Sequence, residues 1–269
     1  NLGVQLSTIG ATQSQPGCWT VAASDDDVWL RFTATAAKHL LVIAPESAIE
    51  VQAFSGTCGS LTSLWCEDDW LGDREITGLT PGQEVFLRVY SDYATPGTFV
   101  WFRAGILSPP LNDECANAIT MVVNESAEPG QQYGFDQEGA TSSVVNDYTA
   151  LRDVWFQFTA PASPIVVEKI GSFNLALFEP NCVDGIMNQT GPTPLILDAL
   201  TPGTSYKLKA SGFNGAIRTR GLTTNDDCAD AISLSVQPEG APLDYTHAVT
   251  YGATESSTAC TPGTDDDVW

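Results

Sequence analysis

Clusters of acidic side chains are the most evident candidates for ligand binding in this sequence. Asp25 and Asp27, and again Asp265 and Asp267, lie immediately before a predicted strand. Two other segments place Asn beside acidic residues: Asn112, Asp113 and Glu114, and Asn225, Asp226 and Asp227. Carboxylate, amide and carbonyl oxygens are the ligands that Ca²⁺ prefers. We therefore predict Ca²⁺ as a candidate cofactor at these positions. A solvated acidic surface is the alternative, because no ligand loop of fixed spacing is present.

Seven cysteines in a chain with 23 Gly and 16 Pro suggest a secreted, disulfide-bonded protein. Cys58 and Cys66 lie eight residues apart, and we predict a local bridge between them. We also predict a bridge between Cys228 and Cys260, whereas Cys18 would pair with a cysteine before residue 1. Cys115 and Cys182 either join each other or stay free, since connectivity does not follow from sequence. Buried thiols are the alternative.

Trp65 and Trp70 lie in loop-like sequence and have no equivalents in the second copy of the repeat described below. Exposed aromatic rings beside Asp and Asn are suited to stacking on sugars, so these two residues are candidate ligand-binding side chains. The alternative is that they anchor their loops, because large aromatic side chains usually bury most of their area.

The charge of the chain excludes several classes of partner. Lys and Arg total 11 against 33 Asp and Glu, which gives a formal net charge of −22. Nucleic-acid binding needs clustered basic residues to neutralise phosphates, so we expect no nucleic-acid partner. We also expect no membrane insertion, because no apolar run approaches the 18 or so residues that a spanning helix requires.

An internal repeat organises the sequence. Asn112–Ile119 (Asn-Asp-Glu-Cys-Ala-Asn-Ala-Ile) returns as Asn225–Ile232 (Asn-Asp-Asp-Cys-Ala-Asp-Ala-Ile). Gly-Ala-Thr and Asp-Val-Trp occur three times in the same order, and Leu-Thr-Pro-Gly occurs twice. We predict a module of about 113 residues. Repeat 1 spans 1–110 without its opening segment, repeat 2 spans 112–222 and is complete, and repeat 3 spans 225–269 and covers only the first half of a module.

Alternation of apolar and polar residues predicts the elements that position these side chains. Val154, Phe156 and Phe158 alternate with polar or aromatic neighbours, and Tyr206 and Leu208 alternate with lysines, which places Lys207 and Lys209 on the solvent side. Thr-Pro-Gly turns precede the later strands. The only helix-like segment is a short helical turn from Asp226 to Ile232, together with its equivalent at the start of repeat 2. The pattern predicts an all-β protein of tandem jelly-roll-like β-sandwich modules.

Catalytic motifs are not found in this pattern. The two histidines, His39 and His247, occupy non-equivalent positions, and no nucleophile elbow, zinc-protease motif or phosphate-binding loop is present. A pair of catalytic carboxylates would have to recur in each copy or be a local invention. We therefore predict a chain that is not an enzyme.

The motifs resemble those of a known group of modules. Asp-Val-Trp-Phe-x-Phe-Thr, Phe-x-Leu-x-Leu-Phe and Thr-Pro-Gly-x-x-Tyr-x-Leu, in this order, resemble bacterial pre-peptidase C-terminal modules. The opening Asn-Asp-Glu-Cys-Ala-Asn-Ala-Ile is similar to tandem modules of large secreted and surface proteins of Bacteroidota, many of them exported by a type IX pathway. This resemblance implies a jelly-roll-like sandwich with a non-catalytic role.

We interpret the chain as part of an extracellular, cell-surface array of modules that acts as an adhesin or a stalk. Its expected partners are neighbouring repeats of the same chain and surface glycans or proteins. Two alternatives remain open at this point: an accessory binding region of a secreted hydrolase, or a structural subunit of an extracellular filament in which strands are exchanged between chains.

Overall fold

Seventeen β-strands and one 3₁₀ turn form the regular structure of the residues that the computed structural model describes, which are 4–17, 26–46, 49–67, 73–91, 100–126, 129–143, 152–183, 185–189, 194–222, 231–240 and 242. The prediction of an all-β chain is confirmed. The structure divides into two units: residues 1–110 with 138–141, called domain 1, and residues 111–137 with 142–269, called domain 2. Within the described ranges, no helix is long and apolar enough to span a membrane.

Domain 1 is a sandwich of two antiparallel four-stranded sheets, as expected for strands with one apolar face. Its strands are β1 (Val4–Ser7), β2 (Val28–Thr33), β3 (His39–Pro45), β4 (Ile49–Thr57), β5 (Ser60–Glu67), β6 (Asp73–Ile76), β7 (Glu84–Ser91) and β8 (Trp101–Leu107). The strand orders are β1-β8-β3-β6 and β2-β7-β4-β5. Both sheets contribute to one core, which includes Leu41, Ile49, Val85 and Phe102.

Domain 2 repeats this arrangement with one additional strand. It comprises the 3₁₀ turn Cys115–Asn117 and strands β9 (Ile119–Thr120), β10 (Tyr133–Phe135), β11 (Asp153–Thr159), β12 (Ile165–Ile170), β13 (Asn174–Phe178), β14 (Gly185–Gln189), β15 (Leu195–Leu197), β16 (Ser205–Ser211) and β17 (Gly215–Gly221). The sheet orders are β10-β17-β12-β15 and β14-β13-β16-β11-β9. The extra strand β9 pairs in parallel with the edge of β11.

Strand register shows which positions of the two domains correspond. Trp29 of β2 lies opposite Arg88 of β7, and Trp155 of β11 lies opposite Lys209 of β16. Inward residues follow the predicted alternation, since Val154, Phe156 and Phe158 are all buried. The prediction that Lys207 faces solvent is wrong. Its ammonium is buried and donates to the carbonyl of Cys115 and to Oε1 of Gln157.

The disulfides correct one prediction and decide one that sequence left open. Cys115 and Cys182 form a disulfide with a Cα–Cα distance of 6.3 Å. Cys66 is also disulfide-bonded, but Cys58 is a free, exposed thiol, so the predicted Cys58–Cys66 bridge is wrong. Cys58 lies in the turn of the β4–β5 hairpin, and Cys66 lies opposite Gln52 near its other end. Ser60, next to this turn, and Cys66 are six positions apart along the strand, which is roughly 20 Å and far beyond disulfide reach. Cys18, Cys228 and Cys260 lie outside the described residues.

We expect the Cys115–Cys182 disulfide to stabilise domain 2 strongly. It closes a loop with a sequence separation of 67 residues, and loop-closure entropy for that length corresponds to about 4 kcal/mol. The double variant C115S/C182S should therefore lower the free energy of unfolding of domain 2 by about that amount in urea titrations. C58S is the matched control and should leave the unfolding curve unchanged, because Cys58 is exposed and unbridged. Equal effects of the two changes would contradict the prediction.

Candidate functional site

In domain 1 the buried Asp27 lies immediately before strand β2. Oδ2 of Asp27 accepts from the backbone N–H of Ser14 at 2.9 Å and from its hydroxyl at 2.8 Å. Nε1 of Trp29 then donates to Oγ of Ser14 at 3.0 Å. Since Ser14 follows Gly10-Ala11-Thr12 and Asp27 begins Asp-Val-Trp, this network joins two of the repeated motifs. The motifs recur because they are bonded to each other.

Domain 2 contains the same network. Oδ2 of Asp153 accepts from the backbone N–H of Ser143 at 2.9 Å, and Oδ1 accepts from the Ser143 hydroxyl. Nε1 of Trp155 donates to Oγ of Ser143 at 2.7 Å. These hydrogen bonds therefore connect strand β11 to the segment that carries Ser143.

The cation beside this aspartate differs between the domains. In domain 1 Arg88 is fully buried, with Nη2 2.7 Å and Nε 2.8 Å from Oδ2 of Asp27, and its Nη1 donates to the carbonyl of Pro16. The matching residue in domain 2 is Lys209. Its Nζ lies 5.9 Å from the Trp155 ring centroid and 5.5 Å from that of Phe178. The guanidinium of Arg88 thus pairs with the aspartate in domain 1, whereas the flexible amine of Lys209 lies over two aromatic rings in domain 2.

A pocket of about 400 Å³ opens on the outer face of the five-stranded sheet of domain 2. We call it the sheet-face pocket, and it is lined by Asn174, Ala176 and Phe178 of β13, Gly185 and Ile186 of β14, and Lys209 and Ser211 of β16. Strand register places Ala176 where domain 1 has Gln52, and Ser211 where domain 1 has Tyr90. Both domain 1 residues are buried. The pocket exists in domain 2 because smaller side chains occupy these positions.

Burial raises the pKa of Asp153 above its ordinary value of 3.8, despite the hydrogen bonds from Ser143 and the charge of Lys209, which lower it. The charge of Asp113 adds to the rise. An ionised Asp153 is therefore costly to the fold, since desolvation outweighs its partners. The surroundings of the sheet-face pocket include a carboxyl group that holds its proton more tightly than a solvated one.

The predicted calcium ligands that are described here are largely buried. Asp27 and Asp113 have little exposed area, so they are not part of a solvated acidic surface. The side-chain amide of Asn112 donates to the carbonyl of Trp155 at 3.0 Å, and Glu114 lies half-buried beside it. No group of three or more His, Cys, Asp or Glu that could hold a metal occurs in the described part of the chain. Calcium binding stays a prediction.

Other predicted ligands lie where the structure gives no description: Asp25, Asn225, Asp226, Asp227, Asp265, Asp267 and Trp70. Trp65 lies in strand β5 and not in a loop, where it packs partly buried against the core of domain 1. The guanidinium of Arg74 lies 5.7 Å from the centroid of a Trp65 ring. The sheet-face pocket was not predicted from sequence, although the substitution of Gln52 by Ala176 in aligned motifs would have been a signal.

Comparison with known families identifies both domains. A family model described as "Galactose binding domain-like", named GBD_T9SS_assoc, matches residues 2–102 and 111–220. The chain belongs to this family. It therefore contains two tandem galactose-binding domain-like sandwiches, and the family's association with type IX secretion indicates a secreted protein. The finer resemblance to pre-peptidase C-terminal modules stays a prediction, and no curated protein matches the chain by sequence.

Solved structures give only distant likenesses. The chain is 11% identical to an uncharacterized protein from Burkholderia cenocepacia, with 74% of this chain and 78% of that chain covered and a TM-score of 0.24. The CUB1-EGF-CUB2 domains of rat MASP-1 match at 11% identity over 82% and 98%, with a TM-score of 0.20. The CBM22-1-CBM22-2 tandem domain of Paenibacillus barcinonensis Xyn10C matches at 10% identity over 81% and 95%, also with a TM-score of 0.20. We draw no argument from likenesses this weak.

We expect the stability of domain 2 to depend on the ionisation of Asp153. A carboxyl whose pKa is raised by folding stabilises the fold fully below its unfolded value, and this contribution is lost as the pH rises through the folded value. The melting temperature of D153N minus that of the unchanged chain should therefore increase as the pH rises from about 3.5 to about 8. Thermal melts across this range test the prediction. The exposed Asp198 supplies the control D198N, and the same pH profile in both variants would contradict it.

Proposed function

We propose that this chain is a non-catalytic binding region of an extracellular, cell-surface protein, and that domain 2 binds a carbohydrate in the sheet-face pocket. The observation that supports this proposal is the pocket itself, of about 400 Å³. That volume lies within the usual range of small-molecule sites. The family's association with type IX secretion supports the extracellular location.

The lining of the pocket suits a sugar. Phe178 and Ile186 provide apolar surface for the C–H faces of a pyranose, and Asn174, Lys209 and Ser211 provide an amide, an ammonium and a hydroxyl for its hydroxyl groups. A binding site needs such a mixture, since the apolar area contributes affinity and a few polar groups set orientation. These lining groups offer hydrogen-bond donors, acceptors and apolar surface to a ligand, in keeping with the proposed non-catalytic role.

An adhesive array is the context that best fits an open pocket of this kind. Weak sites on one chain, or on neighbouring repeats, gain avidity through effective concentration. The same region could serve as the accessory binding part of a secreted hydrolase, which would be revealed by a catalytic domain elsewhere in the polypeptide. A filament subunit would require strands exchanged between chains. Neither alternative changes the proposal that the pocket binds a carbohydrate.

We expect that filling the pocket abolishes glycan binding. S211Y and A176Q introduce the side chains that occupy these positions in domain 1, so both should be compatible with the fold. On an array of bacterial, plant and mucosal glycans, the unchanged chain should bind a defined set. Titration of the best glycan should show a loss of at least about tenfold in affinity for S211Y, which is more than about 1.4 kcal/mol.

S205Y is the matched control, because Ser205 is an exposed residue at the other end of the same strand. It should bind glycans like the unchanged chain. Glycan binding that survives both pocket-filling variants would place the ligand elsewhere, and the absence of any bound glycan would contradict the proposed function.

Calcium remains a proposal for the opening segment of domain 2. Asp113 and Asp153 are both buried, and the charge of Asp113 raises the pKa of Asp153, so a cation between them would relieve repulsion. Millimolar CaCl₂ should then raise the melting temperature of the chain relative to EDTA, with D113N removing the difference. MgCl₂ serves as the control cation. Identical melts in CaCl₂ and EDTA would contradict calcium binding at this site.

A further inference from the structure

The opening segment of domain 2 closes one edge of its five-stranded sheet. The backbone N–H of Trp155 donates to the carbonyl of Asn112 at 2.8 Å, and the side-chain amide of Asn112 donates back to the carbonyl of Trp155. Farther along, β9 pairs with β11, and the backbone N–H of Met121 donates to the carbonyl of Gln157. The segment therefore satisfies the backbone groups of β11 that would otherwise form an open sheet edge.

The same segment also covers side chains on the sheet. Cys115 and Ala118 pack on Trp155, together with Phe178 and Cys182. As a result Trp155 is only 2% exposed. The Cys115–Cys182 disulfide then joins the segment covalently to the turn that follows β13. Sheet pairing, apolar contact and a disulfide all hold the segment in place.

Domain 1 presents the matching surface without a covering segment. Among the described residues, no strand pairs with the outer edge of β2, the counterpart of β11. Each apolar residue of β2 is more exposed than its counterpart: Val28, Leu30 and Phe32 are partly exposed, whereas Val154, Phe156 and Phe158 are buried. Trp29 is also partly exposed. Its ring centroid lies 5.4 Å from that of Phe54, much as the ring centroids of Trp155 and Phe178 lie 5.1 Å apart in domain 2.

The free thiol of domain 1 lies at the position of the bridged one in domain 2. Cys58 is in the turn after β4, and Cys182 is in the turn after β13, each four residues beyond the equivalent phenylalanines Phe54 and Phe178. Cys182 is bonded to the cysteine of the opening segment, whereas Cys58 is unbridged and exposed. The open strand edge and the free thiol are independent features, and both mark the place that Cys115 and β9 occupy in domain 2.

We propose that the outer edge of β2, together with Trp29 and Cys58, is the docking surface for an Asn-Asp-x-Cys-Ala-x-Ala-Ile segment of the same polypeptide that precedes residue 1. Both copies of this motif in the chain, Asn112–Ile119 and Asn225–Ile232, begin 27 residues before the Gly-Ala-Thr motif of their own repeat. The order of the motifs therefore assigns the domain 1 surface to a segment on its N-terminal side. Cys58 is bridged to the cysteine of that segment.

Formation of this bridge is an oxidation. The Cys58 thiol and the partner thiol together lose two protons and two electrons, and a small-molecule or protein disulfide accepts them and becomes a dithiol.

One contact differs from domain 2, because Phe86 stands opposite Arg31 where Lys207 stands opposite Gln157. The docked cysteine carbonyl therefore has no ammonium donor in domain 1, and strand pairing and the disulfide carry more of the binding.

The test uses the full 269-residue chain and a synthetic peptide with the sequence of residues 111–122, Leu-Asn-Asp-Glu-Cys-Ala-Asn-Ala-Ile-Thr-Met-Val. The peptide cysteine carries thionitrobenzoate as a mixed disulfide. The Cys58 thiol loses its proton, its sulfur attacks the peptide sulfur, and thionitrobenzoate leaves, so the exchange needs no further oxidant. We expect one equivalent of thionitrobenzoate, released at least about tenfold faster than with a scrambled peptide, since docking raises the effective concentration.

Mass spectrometry should locate the adduct on Cys58, and C58S should lose the fast phase. Hydrogen exchange at the Trp29 amide should slow in the adduct, because its counterpart in Trp155 is bonded to Asn112. A peptide with alanine in place of its Asn should react more slowly. Equal rates for the designed and scrambled peptides, with no protection of β2, would show only an accessible thiol and overturn the proposal. Covalent dimers of the chain through Cys58, formed without peptide, would overturn the N-terminal source in favour of a second copy.

Discussion

The hydrogen bonds among a buried aspartate, a serine and a tryptophan are the interaction on which each domain depends. A buried carboxylate is costly unless its oxygens have partners, and the serine supplies both a backbone N–H and a hydroxyl. That serine in turn accepts the indole N–H of Trp29 or Trp155. The network therefore fixes the start of one strand against a segment ten or more residues earlier in the chain. It explains why Gly-Ala-Thr and Asp-Val-Trp are preserved together across the repeats.

The two domains differ in the side chains that surround this common network. In domain 1 Arg88 neutralises Asp27 and, with Gln52 and Tyr90, fills the outer face of the sheet. In domain 2 the smaller Ala176 and Ser211 leave a pocket, and Lys209 extends over Trp155 and Phe178. Burial of Asp153 beside a less tightly bound cation then raises its pKa. Two smaller side chains, one on β13 and one on β16, thus account for the pocket in domain 2.

The opening segment connects the organisation of the array to the stability of each sandwich. An edge strand such as β11 leaves unpaired backbone groups unless another segment covers it. In domain 2 a stretch of only about a dozen residues, held by the Cys115–Cys182 disulfide, provides that cover and buries Trp155 and Lys207. If each module depends on such a segment, the repeating unit begins at the Asn-Asp motif.

The all-β class and the tandem repeat could be predicted from the sequence, because strand alternation and motif recurrence are local or periodic properties. The partners of the cysteines could not be predicted. Cys58 and Cys66 are only eight positions apart in sequence, but the intervening residues extend along a strand and separate the two thiols. Burial of Lys207 depends on a segment about ninety residues away. The pocket depends on volumes contributed by three strands, and only the tertiary structure brings those strands together.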